Sequence, residues 1–303
     1  MGTEKVPVTF LNGTSSKNNV LGVISIPDML PRGQVKCRIF FLINGQWGRF
    51  AEDFDIDGKS MAFSGPPDKA WWVLGKNGEV IQIAGSTVNE EQIQGAGLLA
   101  PEGHGYVNTI KNINGELYVC GYHRQVYKHT GNEWISIADS ILTRETATGF
   151  FDIDGINSSH VYAVGWKGEI YFHDGRIWRK DDSPTNGHLA SVRCIASDKV
   201  WICGNGGILL HGSFGRWQEI REVGFTDNWY CIEEYEGTIY LAGNAVLAYL
   251  DGSTIRPIDV GLKRRITTHR LHNKDGLLWS IGEKDILVFD GKSWREIPHP
   301  DNI

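Results

Sequence analysis

An all-β fold built from repeated four-stranded units is what this 303-residue sequence predicts, and three observations carry the prediction. First, an aromatic residue followed three positions later by glycine recurs six times: Trp72 to Gly75, Tyr118 to Gly121, Tyr162 to Gly165, Trp201 to Gly204, Tyr240 to Gly243 and Trp279 to Gly282. Second, these glycines repeat every 39 to 46 residues, and the last three intervals are all 39. A period in this range marks a repeat architecture. Third, each glycine is followed by a short turn, an apolar run, an Asp-Gly or related pair, and then in most units a tryptophan. Asp-Gly between two apolar runs is a strong hairpin signal, because glycine supplies the positive φ that the tight turn needs.

Taken in order along the chain, the first unit is the weakest. Residues 35–41 followed by Asn44-Gly45-Gln46-Trp47 read as the second half of a repeat, with residues 20–26 as its inner strand. Val6 to Leu11 is expected to pair with the last unit and fasten the ring. The units anchored at Gly75, Gly121 and Gly165 follow, the last ending in Asp174-Gly175-Arg176-Ile177-Trp178. The unit at Gly204 shows four strands most clearly, at 192–196, 200–204, 207–211 and 217–220. At Gly243 the tryptophan is replaced by Ile255 after Asp251-Gly252, and at Gly282 the pattern returns in full as Asp290-Gly291-Lys292-Ser293-Trp294. One such unit cannot bury both of its faces, whereas units stacked radially cover one another. The expected fold is therefore a single β-propeller domain over residues 1–303, with seven four-stranded blades, residues 1–50 forming a degenerate blade. Six blades with an N-terminal extension is the alternative.

Over residues 60–297 the repeat, best seen in Val161 to Trp178, resembles bacterial propellers of the sialidase type and the photosystem-assembly type. The resemblance implies the architecture. The sialidase Asp-box places Ser, Asp, Gly and Trp at fixed spacing, whereas here Asp and Gly are adjacent and the leading Ser is absent. No position matches that family's arginine triad or tyrosine nucleophile.

Composition narrows the function classes. The formal charge of −6 and the pI near 5.9 remove the broad attraction that nucleic acid or an anionic membrane requires. A mean hydropathy of −0.26 with 41% hydrophobic residues suits a globular chain. The opening Met1 to Val6 is not followed by an export-type apolar segment, and Val6 stands where myristoylation needs Ser or Thr. Five cysteines with no Cys-x-x-Cys pair suit a reducing compartment. The expectation is a bacterial cytoplasmic protein.

No motif supplies catalysis, a cofactor or a metal. Trp134, Trp178, Trp217 and Trp294 follow their anchors by 12 or 13 residues and read as blade packing. His129, His173 and His211 also repeat, one per unit, so they sit on separate blades and cannot converge on zinc. Gly75-Lys76-Asn77-Gly78 and Gly204-Asn205-Gly206-Gly207 lead into strands rather than a helix, which makes them turns and not phosphate loops.

What breaks the repeat lies in the loops joining strands two and three and the loops entering each first strand, which share one rim. The candidate partner-binding residues there are Tyr122, His123, Arg124, Trp166, Lys167, Asp227, Trp229, His269 and Arg270. Trp166 and Trp229 stand out because the repeat requires no aromatic at either place. Exposed aromatic and Arg side chains are the usual material of a protein-binding hot spot. The expected function is a non-catalytic protein binder, such as an immunity protein masking a basic toxin or an assembly factor with its client. A carbohydrate-binding propeller is the alternative, and a glycosidase or lyase using His123, Glu145, Asp227 and His269 is a further one. A glycan or small-molecule ligand stays open.

Overall fold

In the computed structural model, which describes residues 5–67, 69–98, 103–220 and 226–302, the described residues form seven four-stranded antiparallel sheets. In every sheet the strands are adjacent in chain order. The blades span residues 8–49, 58–92, 107–136, 150–181, 189–219, 229–257 and 270–296. Each blade's first strand abuts those of its two neighbours, and that of blade 1 abuts those of blades 2 and 7, so the ring is closed. The seven-blade expectation holds, and the six-blade alternative does not.

The glycine that announced the repeat has a steric origin. In blades 3 to 7 it ends the second strand where the loop entering the first strand crosses it, while in blade 2 the Glu79 side chain crowds Gly75 instead. A Cβ at Gly165 would lie 1.8 Å from the Gly149 carbonyl oxygen, and one at Gly204 would lie 2.1 Å from that of His188. Only glycine admits that crossing. The aromatic three residues earlier is buried in every case, from Tyr162 at 0% exposed to Tyr240 at 8%. It packs on the following blade: Tyr162 joins Val192 and Ile202 of blade 5, and Trp279 joins Phe10 and Val23 of blade 1. Seven such apolar clusters, one between each pair of neighbouring blades, make up the core.

The outer-strand tryptophans complement this by reaching backwards. Trp134 Nε1 donates to Glu91 of blade 2 at 2.7 Å, Trp178 Nε1 to the Ile137 carbonyl after blade 3 at 3.0 Å, and Trp217 Nε1 to Asp181 of blade 4 at 2.8 Å. A bond of this kind contributes about 1 kcal/mol and fixes the indole's orientation. The repeated histidines serve the same packing, with His129, His173 and His211 lying against Trp134, Trp178 and Trp201 at 4.2–4.9 Å.

Blade 1 corrects two expectations. Its first strand is Val8–Lys17, paired with Val20–Pro27, so residues 20–26 supply the second strand rather than the inner one. Residues 8–11 accordingly belong to blade 1 and do not add a strand to blade 7. Closure is made by the C-terminal tail instead. Trp47 Nε1 donates to the Pro298 carbonyl at 2.9 Å, repeating the backward reach of the other blades, and Val8 N donates to Asn302 Oδ1 at 2.9 Å. His299, 3% exposed, sits among Phe10, Phe40 and Trp47. Blade 1 also explains its own faint repeat. Ser25 occupies the anchor register and Gly22 the aromatic register, and a Cβ on Gly22 would meet the Trp71 ring of blade 2 at 2.6 Å. The bulk that blade 1 lacks is supplied by its neighbour.

Candidate functional site

Two surfaces follow from this ring: a rim of long loops at the start of the first strands, and a rim of tight turns at their ends. The loop rim holds most of the predicted residues. Tyr122, His123 and Arg124 form the tight loop of blade 3, with positive φ at His123 and Arg124. Gln125, fully buried, anchors it through Nε2, which donates to the carbonyls of Gly105 at 2.9 Å and Tyr122 at 3.0 Å. His123 Nδ1 donates to the His104 carbonyl at 2.8 Å. Arg124 reaches the next blade, its Nε 2.9 Å from Glu169 Oε1 and its guanidinium 5.3 Å above the Tyr171 ring. Burial works against the Arg124 charge, but Glu169 outweighs it and raises the pKa. Glu169 Oε2 also accepts the Gly149 N–H at 3.0 Å, so one carboxylate ties two loops together.

Along this scaffold runs an aromatic belt. Tyr106 lies 6.4 Å from Tyr122, Tyr122 lies 6.1 Å from Trp166, and Trp166 lies 4.6 Å from His188, with Phe151 5.2 Å from the Trp166 ring. The belt spans blades 3 to 5, and its members other than Phe151 come from loops of the rim. Trp166 is half-buried and its Nε1 has no hydrogen-bond partner among the described residues. Lys167 beside it is exposed, and its backbone N–H donates to His188 Nδ1 at 3.1 Å. The arrangement offers a broad π surface and an exposed cation on one face, which suits a protein surface. Asp227 is exposed on the same rim, and its carbonyl accepts the Gly207 N–H at 2.7 Å.

The other three predicted residues lie elsewhere. Trp229 is fully buried because it pairs with the anchor glycine Gly243, the register held by Val107, Phe150 and Leu189 in blades 3 to 5, and that register points into the interblade core. It is not a surface aromatic. His269 is turned inward, with Nε2 3.1 Å from the Leu11 carbonyl, and burial lowers its pKa to about 4. Arg270 pairs with the residue before the anchor, and that register faces the central channel.

Arg270 apart, the residues of the channel wall were not among the site residues singled out from the sequence. The wall carries two rings of side chains set by strand register. The ring nearer the loop rim comprises Asn12, Ser60, Thr109, Asp152, Ser191, Cys231 and Arg270. The ring nearer the turn rim comprises Thr14, Ala62, Lys111, Asp154, Arg193, Glu233 and His272. On blades 3 to 6 the second ring alternates in charge, and Arg193 Nε lies 2.7 Å from Glu233 Oε1. The Glu233 carboxylate raises the Arg193 pKa against the effect of burial. His272 is held neutral, its pKa lowered to about 3 by burial and then by Lys111 and Arg193. The signal for these rings was in the sequence: a charged or polar residue ten to thirteen positions before most anchors. Among the described residues, no group of His, Cys, Asp and Glu is arranged to hold a metal.

Fold and rim together define a seven-bladed propeller with a preorganised aromatic face. No family model matches the chain. The immune protein Tsi7 of Pseudomonas aeruginosa is 33% identical over 228 residues, 74% of each chain, and this chain belongs to the same family. Among solved structures, YCF48 bound to D1 peptide superposes with a TM-score of 0.68 at 16% identity, covering 95% of this chain and 96% of that one. The WD40 propeller domain of Doa1 gives 0.69 at 10% identity, covering 94% and 93%. Both likenesses concern the fold.

Proposed function

We propose that this chain is an immunity protein that neutralises a protein toxin by binding it through the loop rim, without catalysing a reaction, in a bacterial cytoplasm. The observation that carries the reading is its kinship with the immune protein Tsi7. The rim supports a binding mechanism, because its loops are pinned by Gln125 and Glu169 before any partner arrives, and preorganisation lowers the entropic cost of association. A toxin of net positive charge complements the chain's −6.

The test begins with capture of the tagged protein from its host and identification of the stoichiometric partner. Co-expression must then rescue growth of cells producing that partner. Trp166→Ala is expected to weaken the complex by about tenfold or more, the scale of a hot-spot aromatic, while leaving the melting temperature within a few degrees of the parent. Captured toxin with no growth rescue would end the immunity reading. Full affinity in both Trp166→Ala and Lys167→Glu would move the interface off this rim.

A further inference from the structure

The channel cavity of about 1430 Å³ has a charge opposite to that of the chain. Six cations line it: Lys17, Lys69, Lys111, Arg193, Arg270 and Lys274. Three carboxylates do so beside a fourth, Asp154 of the ring nearer the turn rim, which accepts the Cys194 N–H at 2.8 Å, and each is already engaged. Glu233 pairs with Arg193 at 2.7 Å, Asp152 accepts the Ser191 hydroxyl at 2.8 Å and the Val192 N–H at 3.0 Å, and Glu116 pairs with Lys128 at 2.6 Å. Among the described residues, five of the six cations make no ion pair and no side-chain hydrogen bond, Arg193 being the exception. Burial opposes the charge on Lys111, yet Asp154 and Asp152 outweigh it, so this amine stays protonated inside the channel. Asp275, next to Lys274, is occupied with the Asn18 N–H at 3.2 Å.

The placement of these cations matters as much as their number. Lys274, Lys17 and Lys69 are exposed where the first strands of the consecutive blades 7, 1 and 2 turn back, and together they border the mouth. Lys111 of blade 3 and Arg270 of blade 7 stand deeper, on well-separated parts of the wall. The cavity is entered from the turn rim, and among the described residues no loop of the aromatic belt lines it. Its wall mixes these charged groups and hydroxyls with apolar side chains such as Met61, Phe63 and Leu117. Cations spread in this way are engaged together only by a ligand bearing several negative charges.

We propose that the channel binds a small, multiply phosphorylated anion, entered past Lys17, Lys69 and Lys274 and held by Lys111 and Arg270. This site is separate from the loop rim and does not depend on what that rim binds. Inorganic tripolyphosphate, titrated into the intact protein by calorimetry, is the probe. One molecule per chain should bind, with affinity falling as salt rises from about 50 to about 500 mM, since screening strengthens over that range. The variant K17Q/K69Q/K274Q changes only exposed positions and should bind about tenfold more weakly or worse. Lys111→Met should weaken binding further, and Trp166→Ala should leave it unchanged. The proposal is overturned by the absence of binding at about 1 mM probe, a concentration at which any affinity stronger than about 4 kcal/mol registers. Equal binding by the triple variant overturns it too, as does a hexaglutamate peptide binding more tightly than tripolyphosphate, which would make the channel a site for acidic polypeptide.

Discussion

Ring closure by the C-terminal tail makes the fold sensitive to acid through one histidine. His299 is 3% exposed, and its Nδ1 accepts the Asp301 N–H at 3.2 Å, so the ring is neutral with its proton on Nε2, an atom with no partner among the described residues. A second proton would have to displace the bond at Nδ1, amid the rings of Phe10, Phe40 and Trp47. Burial accordingly lowers the pKa to about 4, against about 6.5 in an unfolded chain. Between those values the unfolded state binds more protons than the folded ring, so stability falls as the pH drops through that window. Evaluating the two titrations at pH 5 gives a loss of about 2 kcal/mol, and at pH 7.5 a loss of about 0.1 kcal/mol or less. His299→Phe keeps an aromatic ring in the same pocket and removes the titration. Urea unfolding at the two pH values should show the parent losing about 2 kcal/mol more than the variant on acidification. His269 and His272 contribute acid sensitivity to both proteins and cancel in the comparison. An identical pH dependence in parent and variant would refute the account of closure by a neutral, buried His299.

Two further outcomes test the scaffold of the rim. Glu169→Gln leaves the Arg124 guanidinium without its counter-charge in a site where the two side chains are 17% and 8% exposed, and should cost about 2 to 3 kcal/mol; an unchanged melting temperature would mean that the pair does not brace the loops. Gly165→Ala drives a Cβ to 1.8 Å from the Gly149 carbonyl oxygen and should cost about 2 to 3 kcal/mol through displacement of the loop entering blade 4. Gly85→Ala, at positive φ with open space around it, provides the comparison and should cost only about 1 kcal/mol. Equal losses in the two would remove steric crossing as the reason for the anchor glycine.

The repeat was legible because its markers are imposed by sterics and packing that recur in most blades. Gly165 and Gly204 must be glycine where loop backbone crosses the strand, and Tyr162 and Trp201 must be large where one blade covers the next. Blade 1 was read one strand out of step because it carries neither marker. Ser25 replaces the glycine, and Trp71 of the next blade fills the space above Gly22. Trp229 misled for a related reason. Its indole is the largest side chain at the equivalent positions, but its register is shared with Val107, Phe150 and Leu189, and register rather than residue type decides which way a strand side chain points. Trp166 lies on a loop, outside the register that turns Trp229 inward. The belt around it depends on contacts between blades, such as Trp166 to His188, that no linear spacing announces.

The division of labour around the ring follows from where closure falls. Blades 7 and 1 meet through the C-terminal tail, with Pro298, His299 and Asn302 packed against the first and outer strands of blade 1. Lys284 of the blade 7 loop is spent on this seam, bonding Asp28 and the Val8 carbonyl. The side chains at the loop-rim edge of that seam are therefore committed to holding the ring shut. The aromatic belt lies on blades 3 to 5, away from the seam, where covalent continuity already joins each blade to the next. There the loop residues are released from closure, and Trp166 can keep a half-exposed indole and Lys167 an exposed charge without weakening the ring. A binding surface carried by a closed propeller gains most where the chain need not be fastened, and the belt occupies that sector.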